Sequence, residues 1–344
     1  MKIYSITIKP ITGFATPLKG DTIFGHICWQ LAYEKAISLD NLLKDYSENP
    51  FAVFSSAYPQ FFSENDNAYV YALKKPDIPI EYIIDCAGLD KKERLEKKKE
   101  FKKKKWMLVK EGESFATFKN HEKYLSDKEI IEKAIKSAKP EVSRDAQKQG
   151  MKSFISSFHQ PHNTINRNTG ATGKVPFAPY RVKQEVYFPF TKLVVFVGID
   201  ESRITIEQIK LCLKRIGESG FGKDASTGLG RFELGNVDEI NFLGCKEPNA
   251  CYTLSPSVPE KDNLKDYFFS PFIRFGKHGD ILAKSANPFK NPVIMADEGA
   301  VFFPEKMEIF QRPYIGKAIK NISIANPKTV MQGYSLYIPV YMEI

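Results

Sequence analysis

Two closely spaced Gly-x-Gly pairs constrain this chain more than any other feature: Gly220 with Gly222, and Gly228 with Gly230. Glycine loses more backbone freedom on folding than any other residue, so a cluster of four is costly unless the backbone requires it. That requirement arises where the chain takes positive φ angles, or where another group touches the backbone itself. Exposed backbone N–H groups beside a cation commonly hold phosphate. The pairs therefore predict a tight loop with a phosphate as its candidate ligand.

This segment partly matches the sequence motifs of nucleotide-binding loops, but its flanking secondary structure differs from theirs. Residues Gly217 to Lys223 fit the G-x-x-x-x-G-K part of a P-loop, but Asp224 stands where a Ser or Thr should hold Mg²⁺. P-loops and dinucleotide-binding loops both leave a strand and open a helix. Here the predicted order is the reverse, which argues against ATP and NAD. We predict no cofactor.

The flanks of the loop predict a helix before it and a strand after it. Thr205 and Gln208 have the spacing of a capping box. From Ile209, apolar residues recur at i, i+3, i+4 and i+7, and Gly217 is placed to end the helix. Residues 229–234 are short, bounded by glycine and strand-like.

The N-terminal region supplies the other half of a fold. A strand is predicted at residues 2–8, followed by a helix that opens at Gly20. Further strands are predicted at residues 181–188 and 193–199. With the helix and strand around the loop, the order is β-α-β-β-α-β, which is ferredoxin-like and shared by RNA-recognition-motif domains. We predict an α+β fold in which residues of about 36–180 form large insertions.

Three segments resemble the CRISPR-associated RAMP proteins. Residues 16–26 (Thr-Pro-Leu-Lys-Gly-Asp-Thr-Ile-Phe-Gly-His) resemble the opening of that superfamily, and the loop at residues 217–231 resembles its shared glycine-rich loop. Residues 162–167 (His-Asn-Thr-Ile-Asn-Arg) are similar to a third family segment. Together they resemble the subunit-four family of type III-A (Csm) interference complexes, the branch that caps the crRNA 5′ end. The resemblance covers both ends of the chain and leaves a gap over roughly residues 40–140.

The resemblance implies a fold, a function and partners. The family has two ferredoxin-like (RRM-like) halves, which correspond here to residues 1–237 and 238–344. It usually has no catalytic activity. It holds the repeat-derived 5′ tag of crRNA, and it docks the large polymerase-like subunit beside the backbone RAMP subunit. We expect RNA contacts from the following residues: Lys19, His162, Asn163, Asn166, Arg167, Gly220, Gly222, Lys223, Gly228, Gly230 and Arg231.

The positive charge of the chain is concentrated in one segment. The formal net charge is +9. Residues 91–105 hold ten basic and three acidic residues, 10 − 3 = +7, which leaves +2 for the rest. Such a segment is either a solvated helix or lysine run, or an electrostatic tether to RNA phosphates. We assign no site residue to it.

Cysteine usage and hydropathy indicate a compartment. The five cysteines include no Cys-x-x-Cys pair, and no secretory h-region or membrane-length apolar stretch is present in the sequence. We therefore expect a cytoplasmic protein with no membrane partner.

Catalytic alternatives rest on a few side chains. A metal-independent endoribonuclease that matures crRNA could use His26 or His162 as acid and base. His26 is otherwise expected to pack within its helix or to contact RNA. Asp21 could imitate the carboxylate with which backbone RAMP subunits cut target RNA, although a helix N-cap is the simpler interpretation. His159 and His162 have no further ligands near in sequence, so we predict no metal site.

Two further regions carry weaker patterns. Residues 162–173 are polar and contain glycine, which fits either an ordinary surface loop or an RNA-contacting hairpin. After Gly235 the sequence alternates short apolar runs with Gly, Pro and Asn. This pattern predicts strands at residues 272–275, 292–295, 300–303 and 334–338.

Overall fold

The computed structural model describes residues 1–34, 37–63, 67–84, 90–115, 117–119, 123–136, 153–175, 177–242 and 244–343. Its α-helices are α1 (Gly20–Tyr33), α2 (Leu39–Lys44), α3 (Lys91–Lys103), α4 (Asp127–Lys136) and α5 (Ile206–Ser219). Its strands are β1 (Lys2–Pro10), β2 (Ala52–Ser63), β3 (Ala68–Lys74), β4 (Lys104–Lys110), β5 (Tyr124–Ser126), β6 (Ile155–His162), β7 (Tyr180–Tyr187), β8 (Lys192–Ile199), β9 (Phe232–Ile240), β10 (Ala250–Thr253), β11 (Leu264–Phe268), β12 (Pro271–Arg274), β13 (Val293–Ala296), β14 (Val301–Pro304), β15 (Tyr314–Gly316) and β16 (Tyr334–Val340).

The predicted ferredoxin-like order is confirmed in a seven-stranded sheet. Its strand order is β5-β4-β3-β2-β8-β1-β9, and neighbouring strands are antiparallel. The four strands β2, β8, β1 and β9 form the ferredoxin-like unit. Helices α1 and α5 contact each other and pack on this unit, while β3, β4 and β5 extend the sheet. The α+β class follows directly.

The assignment of the second strand of this unit is wrong. Its place is taken by β2, which pairs with β8, and not by residues 181–188. Those residues do form a strand, β7, but it pairs with β6 in a separate hairpin. The insertion therefore lies between β2 and β8 and does not begin at about residue 36, and residues 137–152 within it lie outside the described residues. Most of β2 is buried on both faces, so it lacks the alternation by which a strand is found in sequence.

Helix α5 begins as predicted and ends later. The Thr205 hydroxyl accepts from the Gln208 N–H at 3.3 Å, and the Gln208 amide oxygen accepts from the Thr205 N–H at 2.9 Å. Gly217 does not end the helix, because Gly220 is the C-cap. A Cβ at Gly217 would lie 3.0 Å from the ring of Phe232. Glycine is needed there because β9 passes close to the helix.

Helix α1 opens at Gly20 as predicted, but Asp21 is not its N-cap. Lys19 holds that position, without a side-chain cap bond. The carboxylate of Asp21 is buried and forms an ion pair with Arg274 of β12, with Nε 2.6 Å from Oδ2 and Nη2 donating to Oδ1 at 2.9 Å. The pair ties the first helix to the C-terminal half of the chain.

The C-terminal half contains a five-stranded sheet, β11-β14-β10-β16-β15, and a two-stranded ribbon, β12–β13. The four strands predicted here are confirmed as β12, β13, β14 and β16. Within residues 244–343 the helical elements are short 3-10 turns. Strand β9 extends to Ile240, past the predicted boundary at residue 237. Leu336 of β16 lies against Gly198 of β8, and one hydrophobic core joins the two sheets. No described helix combines the length and hydropathy that a membrane crossing requires.

Candidate nucleic-acid interface

The glycine loop (residues 220–231) connects α5 to β9 and takes the positive φ angles that its composition predicts. The φ angles are 101° at Gly220, 78° at Gly222, 97° at Gly228 and 73° at Gly230. Gly230 is needed for close approach, since an added Cβ would lie 2.5 Å from the backbone nitrogen of Phe221. Gly228 differs, because an added Cβ there would meet nothing within 4 Å. Of the four glycines, Gly228 is thus the one that leaves open space for a visitor.

Most backbone N–H groups of the glycine loop already have acceptors inside the protein. The N–H groups of Gly220, Thr227, Gly228 and Leu229 donate to carbonyls three to five residues earlier in the chain. The bonds across the loop and to other segments are Phe221 N to Gly230 O at 3.0 Å, Gly222 N to His26 Nε2 at 3.1 Å, Lys223 N to Thr16 Oγ1 at 2.9 Å, Gly230 N to Gly13 O at 2.8 Å and Arg231 N to Thr12 Oγ1 at 2.9 Å. Among the residues of this loop, the N–H groups of 224–226 have no acceptor in the described structure. A phosphate cradle of backbone N–H groups is therefore restricted to those three residues.

His26 braces the glycine loop. Its Nε2 accepts from the Gly222 N–H, and its ring lies against that of Phe221 with centroids 4.4 Å apart. Burial lowers the pKa of His26 to about 4, so the ring is neutral at physiological pH and can accept this bond. The packing interpretation of His26 therefore fits the geometry.

The two cations of the loop are presented to solvent. Lys223 and Arg231 are exposed, and no ion pair involves either of them among the described residues. Asp224 between them turns inward, because its Oδ2 is buried. One oxygen of this carboxylate, which would repel RNA phosphates, therefore lies behind the surface that carries the two cations.

Lys19 is held by carboxylates and not presented to solvent. Its ammonium pairs with Asp297 and with Glu298, the latter at 3.0 Å, and it lies 4.8 Å from the ring centroid of Phe272. Burial, helped by a hydrogen bond with Asp297, raises the pKa of Glu298 to about 7. The structure thus uses Lys19 to join the two halves of the chain, which leaves its charge largely satisfied.

The remaining predicted residues lie on the β6–β7 hairpin. The two strands pair along their whole length, from Ile155–Tyr187 to His162–Tyr180. The rings of His162 and Tyr180 are stacked, with centroids 5.2 Å apart and planes 12° apart. Most of β6 is exposed. On a strand, His159 and His162 point to opposite faces, so the two rings do not converge on one ion.

A turn at the tip of the hairpin is built around Asn166. Its backbone carbonyl accepts from the Gly170 N–H at 2.8 Å, and its side-chain oxygen accepts from the Asn168 N–H at 2.9 Å. Asn163 and Arg167 on either side are exposed. The amide of Asn166 therefore shapes the turn, while its neighbours are available to a ligand.

The bridging segment (residues 11–16) holds the hairpin and the glycine loop together. Phe14 exchanges two backbone bonds of 2.8 Å with Glu185 of β7, and its ring lies 6.5 Å from that of Phe221. On its other side, Thr12 and Thr16 accept from the glycine loop. Sequence reasoning missed these two threonines, because no local pattern reveals a partner some two hundred residues away.

No protein-family model matches the chain, and no curated protein matches it. Solved structures do. A chain of a "Csm1-Csm4 cassette in complex with pppApA" has 15% identity and a TM-score of 0.53, with 100% of this chain and 99% of that chain covered. A chain of the same cassette with cA4 has 15% identity and a TM-score of 0.53, with 100% of both chains covered.

A third structure extends the comparison to a different assembly. A chain of the "Csm3-Csm4 subcomplex in the type III-A CRISPR-Cas interference complex" has 16% identity and a TM-score of 0.53, with 98% of this chain and 99% of that chain covered. Csm4 is the component that the two assemblies have in common. The chain therefore has, along its full length, the fold of a chain found in Csm1-Csm4 and Csm3-Csm4 assemblies, as its resemblance to the RAMP proteins led us to expect.

Proposed function

We propose that this protein is a Csm4-like, non-catalytic RNA-binding scaffold subunit of a type III-A CRISPR effector complex. It holds the repeat-derived 5′ tag of crRNA and docks the large polymerase-like subunit and the backbone RAMP subunit. The observation that carries the proposal is the exposed β6–β7 hairpin, whose base at Glu185 is fixed beside the glycine loop by the bridging segment. The fold shared with chains of Csm4-containing assemblies supports the choice of complex.

The charge of this region supports RNA as the ligand. On the hairpin, Arg167, Lys174 and Arg181 are exposed, and none of the three is in an ion pair among the described residues. With Lys223 and Arg231 of the glycine loop they give five unpaired cations on two elements that share one support. Such cations release counterions when they bind phosphates, so binding should weaken steeply with salt. Stacked His162 and the amide of Asn163 can then contact bases.

The surroundings of the candidate catalytic groups support a scaffold. The Nε2 of His26 is occupied by the glycine loop, and the carboxylate of Asp21 is paired with Arg274. A general base needs a free lone pair within reach of the proton that it removes. His162 is half-buried, and its ring nitrogens have no hydrogen-bond partner among the described residues, so the competing hypothesis of a metal-independent crRNA-processing endoribonuclease now rests on that residue.

The outer face of the β12–β13 ribbon supports docking of a protein subunit. Ile273 and Ile294 lie opposite each other in the register, and Phe275 and Phe289 continue the same stripe. All four side chains are between 52% and 69% exposed. A contiguous apolar stripe of this kind is typical of a protein–protein interface.

RNA binding is tested by gel shift with end-labelled crRNA in EDTA, on native and denaturing gels. The variant Arg167→Ala/Lys174→Ala should weaken the shift and leave the RNA intact, while the matched surface variant Lys246→Ala/Lys265→Ala should not. Cleavage within the repeat that disappears in His162→Ala would instead make the protein a nuclease. An unchanged shift in the hairpin variant would remove the hairpin from the interface.

Docking is tested by co-purification with the large subunit and with the backbone subunit. Ile273→Asp should abolish capture of one of them, while Leu211→Asp, on the exposed side of α5, should not. Retention of both partners by Ile273→Asp would contradict the assignment of the ribbon.

A further inference from the structure

The sheet face opposite α1 and α5 has one polar and aromatic end. Thr7 on β1 and Gln60 on β2 both point to this face, and the Thr7 hydroxyl donates to the Gln60 amide oxygen at 2.9 Å. The register partners of Gln60, Lys192 and Tyr71, lie on the same face because paired residues of antiparallel strands point to the same side, and so does Val194, the partner of Thr7. Thr7 and Gln60 thus form a buried polar floor at this end of the face, next to the core residues Tyr71 and Val194.

Aromatic side chains rim the floor. Phe62 and Tyr69 are a register pair at the end of β2 and β3, with ring centroids 5.3 Å apart and planes at 71°. Phe62 is 44% exposed. Gln60 of β2 pairs with Lys192 of β8 at the end of their ladder. Phe62 lies two residues after Gln60, and Phe190 lies two residues before Lys192. Because the two strands are antiparallel, both phenylalanines lie just beyond this end of the ladder.

The backbone at Phe190 is strained. Its φ is +62°, an angle that bulky residues rarely adopt, and its side chain is 64% exposed. Such a conformation costs about 1–3 kcal/mol, which other interactions of the folded protein must offset. A strained backbone that holds a large ring out in solvent has no packing explanation, and such residues cluster at ligand sites.

Cations complete the rim. Lys192 is exposed on the polar face, and Lys9 lies two residues beyond Thr7 on the same side of β1. Neither has an ion pair among the described residues. On the far side the sheet curls, so that the Tyr69 hydroxyl of β3 comes within 3.5 Å of the Asn236 amide of β9. The curl brings β3 and β9 together at the end of the sheet that carries Tyr69.

We propose that this rim, formed by Phe62, Tyr69, Phe190, Lys9 and Lys192, is a second RNA site that stacks unpaired bases and contacts the adjacent phosphates. Rings beside cations over a polar floor match the chemistry of a single strand, whose bases stack on aromatics while its backbone meets positive charge. A protein-docking surface would instead be apolar at its centre. The choice of RNA rests on the proposed function, but the site does not require the 5′ tag.

The test is fluorescence anisotropy with the full chain and a labelled ten-residue oligouridine that lacks the tag. Phe62→Ala and Phe190→Ala should each weaken binding by roughly 5- to 150-fold, the range for loss of one base stack. Lys9→Ala/Lys192→Ala should lower the slope of log affinity against log salt by about 1.4, or 0.7 for each phosphate that is no longer neutralised. Tyr341→Ala, which removes an exposed aromatic ring outside both proposed interfaces, is the matched control and should bind as the wild type does.

A second set of variants and a crosslink protect the test against misfolding. Phe62→Leu and Phe190→Leu keep an apolar side chain but cannot stack, so each should reproduce the loss seen with alanine. An oligouridine carrying 4-thiouridine should crosslink to peptides that contain residue 62 or 190. Wild-type affinity in the four variants, or crosslinks confined to other peptides, would overturn the proposal. If these variants bind oligouridine as the wild type does but no longer co-purify with a subunit, this face binds a protein and not RNA.

The two proposals can fail separately. If tag-bearing and tag-free crRNA bind equally while Phe62→Ala still weakens oligouridine binding, the function in tag recognition fails and the sheet site stands. If tag selectivity is present and depends on Arg167 while oligouridine binding ignores Phe62 and Phe190, the sheet site fails and the proposed function stands.

Discussion

Gly230 and Gly228 offer a paired test of how the glycine loop is built. Both have a positive φ, so alanine at either position carries the backbone strain of a left-handed residue, about 1–2 kcal/mol. At Gly228 an added Cβ meets nothing within 4 Å. At Gly230 it would lie 2.5 Å from the nitrogen and 2.9 Å from the carbonyl carbon of Phe221, whereas real Cβ atoms essentially never come within 3.0 Å. Those are backbone atoms, so no rotamer change relieves the contact.

The expected difference follows from that clash. Overpacking costs about 1–3 kcal/mol, so Gly230→Ala should lower the free energy of unfolding by about 2–5 kcal/mol and Gly228→Ala by about 1–2 kcal/mol. Urea denaturation followed by circular dichroism measures both, and the two transition midpoints should separate clearly. Equal midpoints for the two variants would refute the close approach of Gly230 to Phe221. If Gly228→Ala lowers the free energy of RNA binding by more than it lowers the free energy of unfolding, RNA approaches the open side of the loop.

Three further predictions concern charge. Because folding lowers the pKa of His26 to about 4 against about 6.5 in the unfolded chain, its contribution is complete above pH 6.5 and is lost as the pH falls toward 4, up to about 3 kcal/mol. His26→Gln should flatten this part of the stability–pH curve, and an unchanged slope would exclude the brace. Asp21→Asn should cost about 3 kcal/mol in urea denaturation, because it leaves Arg274 with an uncompensated charge. Adding Arg274→Met should recover part of that loss, and no recovery would contradict the pairing. Lys223→Ala and Arg231→Ala should each reduce the salt slope of crRNA binding by about 0.7, measured by anisotropy, and unchanged slopes would remove them from the interface.

Local chemistry could be predicted from the sequence. The capping box of Thr205 and Gln208 and the positive φ angles of the loop glycines depend on residues adjacent in the chain, so the pattern determines them. For residues 162–173 the sequence left two alternatives, a surface loop or an RNA-contacting hairpin, and these residues run from the end of β6 into the connection to β7. Strand β7 was found correctly and placed in the wrong sheet, because alternation reports a half-buried strand but not its partner.

Long-range pairing could not be predicted. Asp21 and Lys19 follow the patterns of a helix start, yet their partners Arg274 and Asp297 lie in the other half of the chain. A single sequence does not show which acidic and which basic side chains form buried ion pairs when they are far apart in the chain. The strain at Phe190 was equally hidden, since an aromatic residue before a strand carries no mark of a positive φ.

The proposed function requires that this chain recognise the 5′ tag of crRNA without cutting it. The most direct test compares two end-labelled crRNAs of equal length, one with its repeat-derived tag and one with that tag scrambled, titrated with the purified protein in EDTA at fixed salt. We expect tighter binding to the intact tag, intact RNA on the denaturing gel, and loss of the preference in Arg167→Ala/Lys174→Ala. Equal affinity for the two RNAs, or cleavage of either, would contradict it.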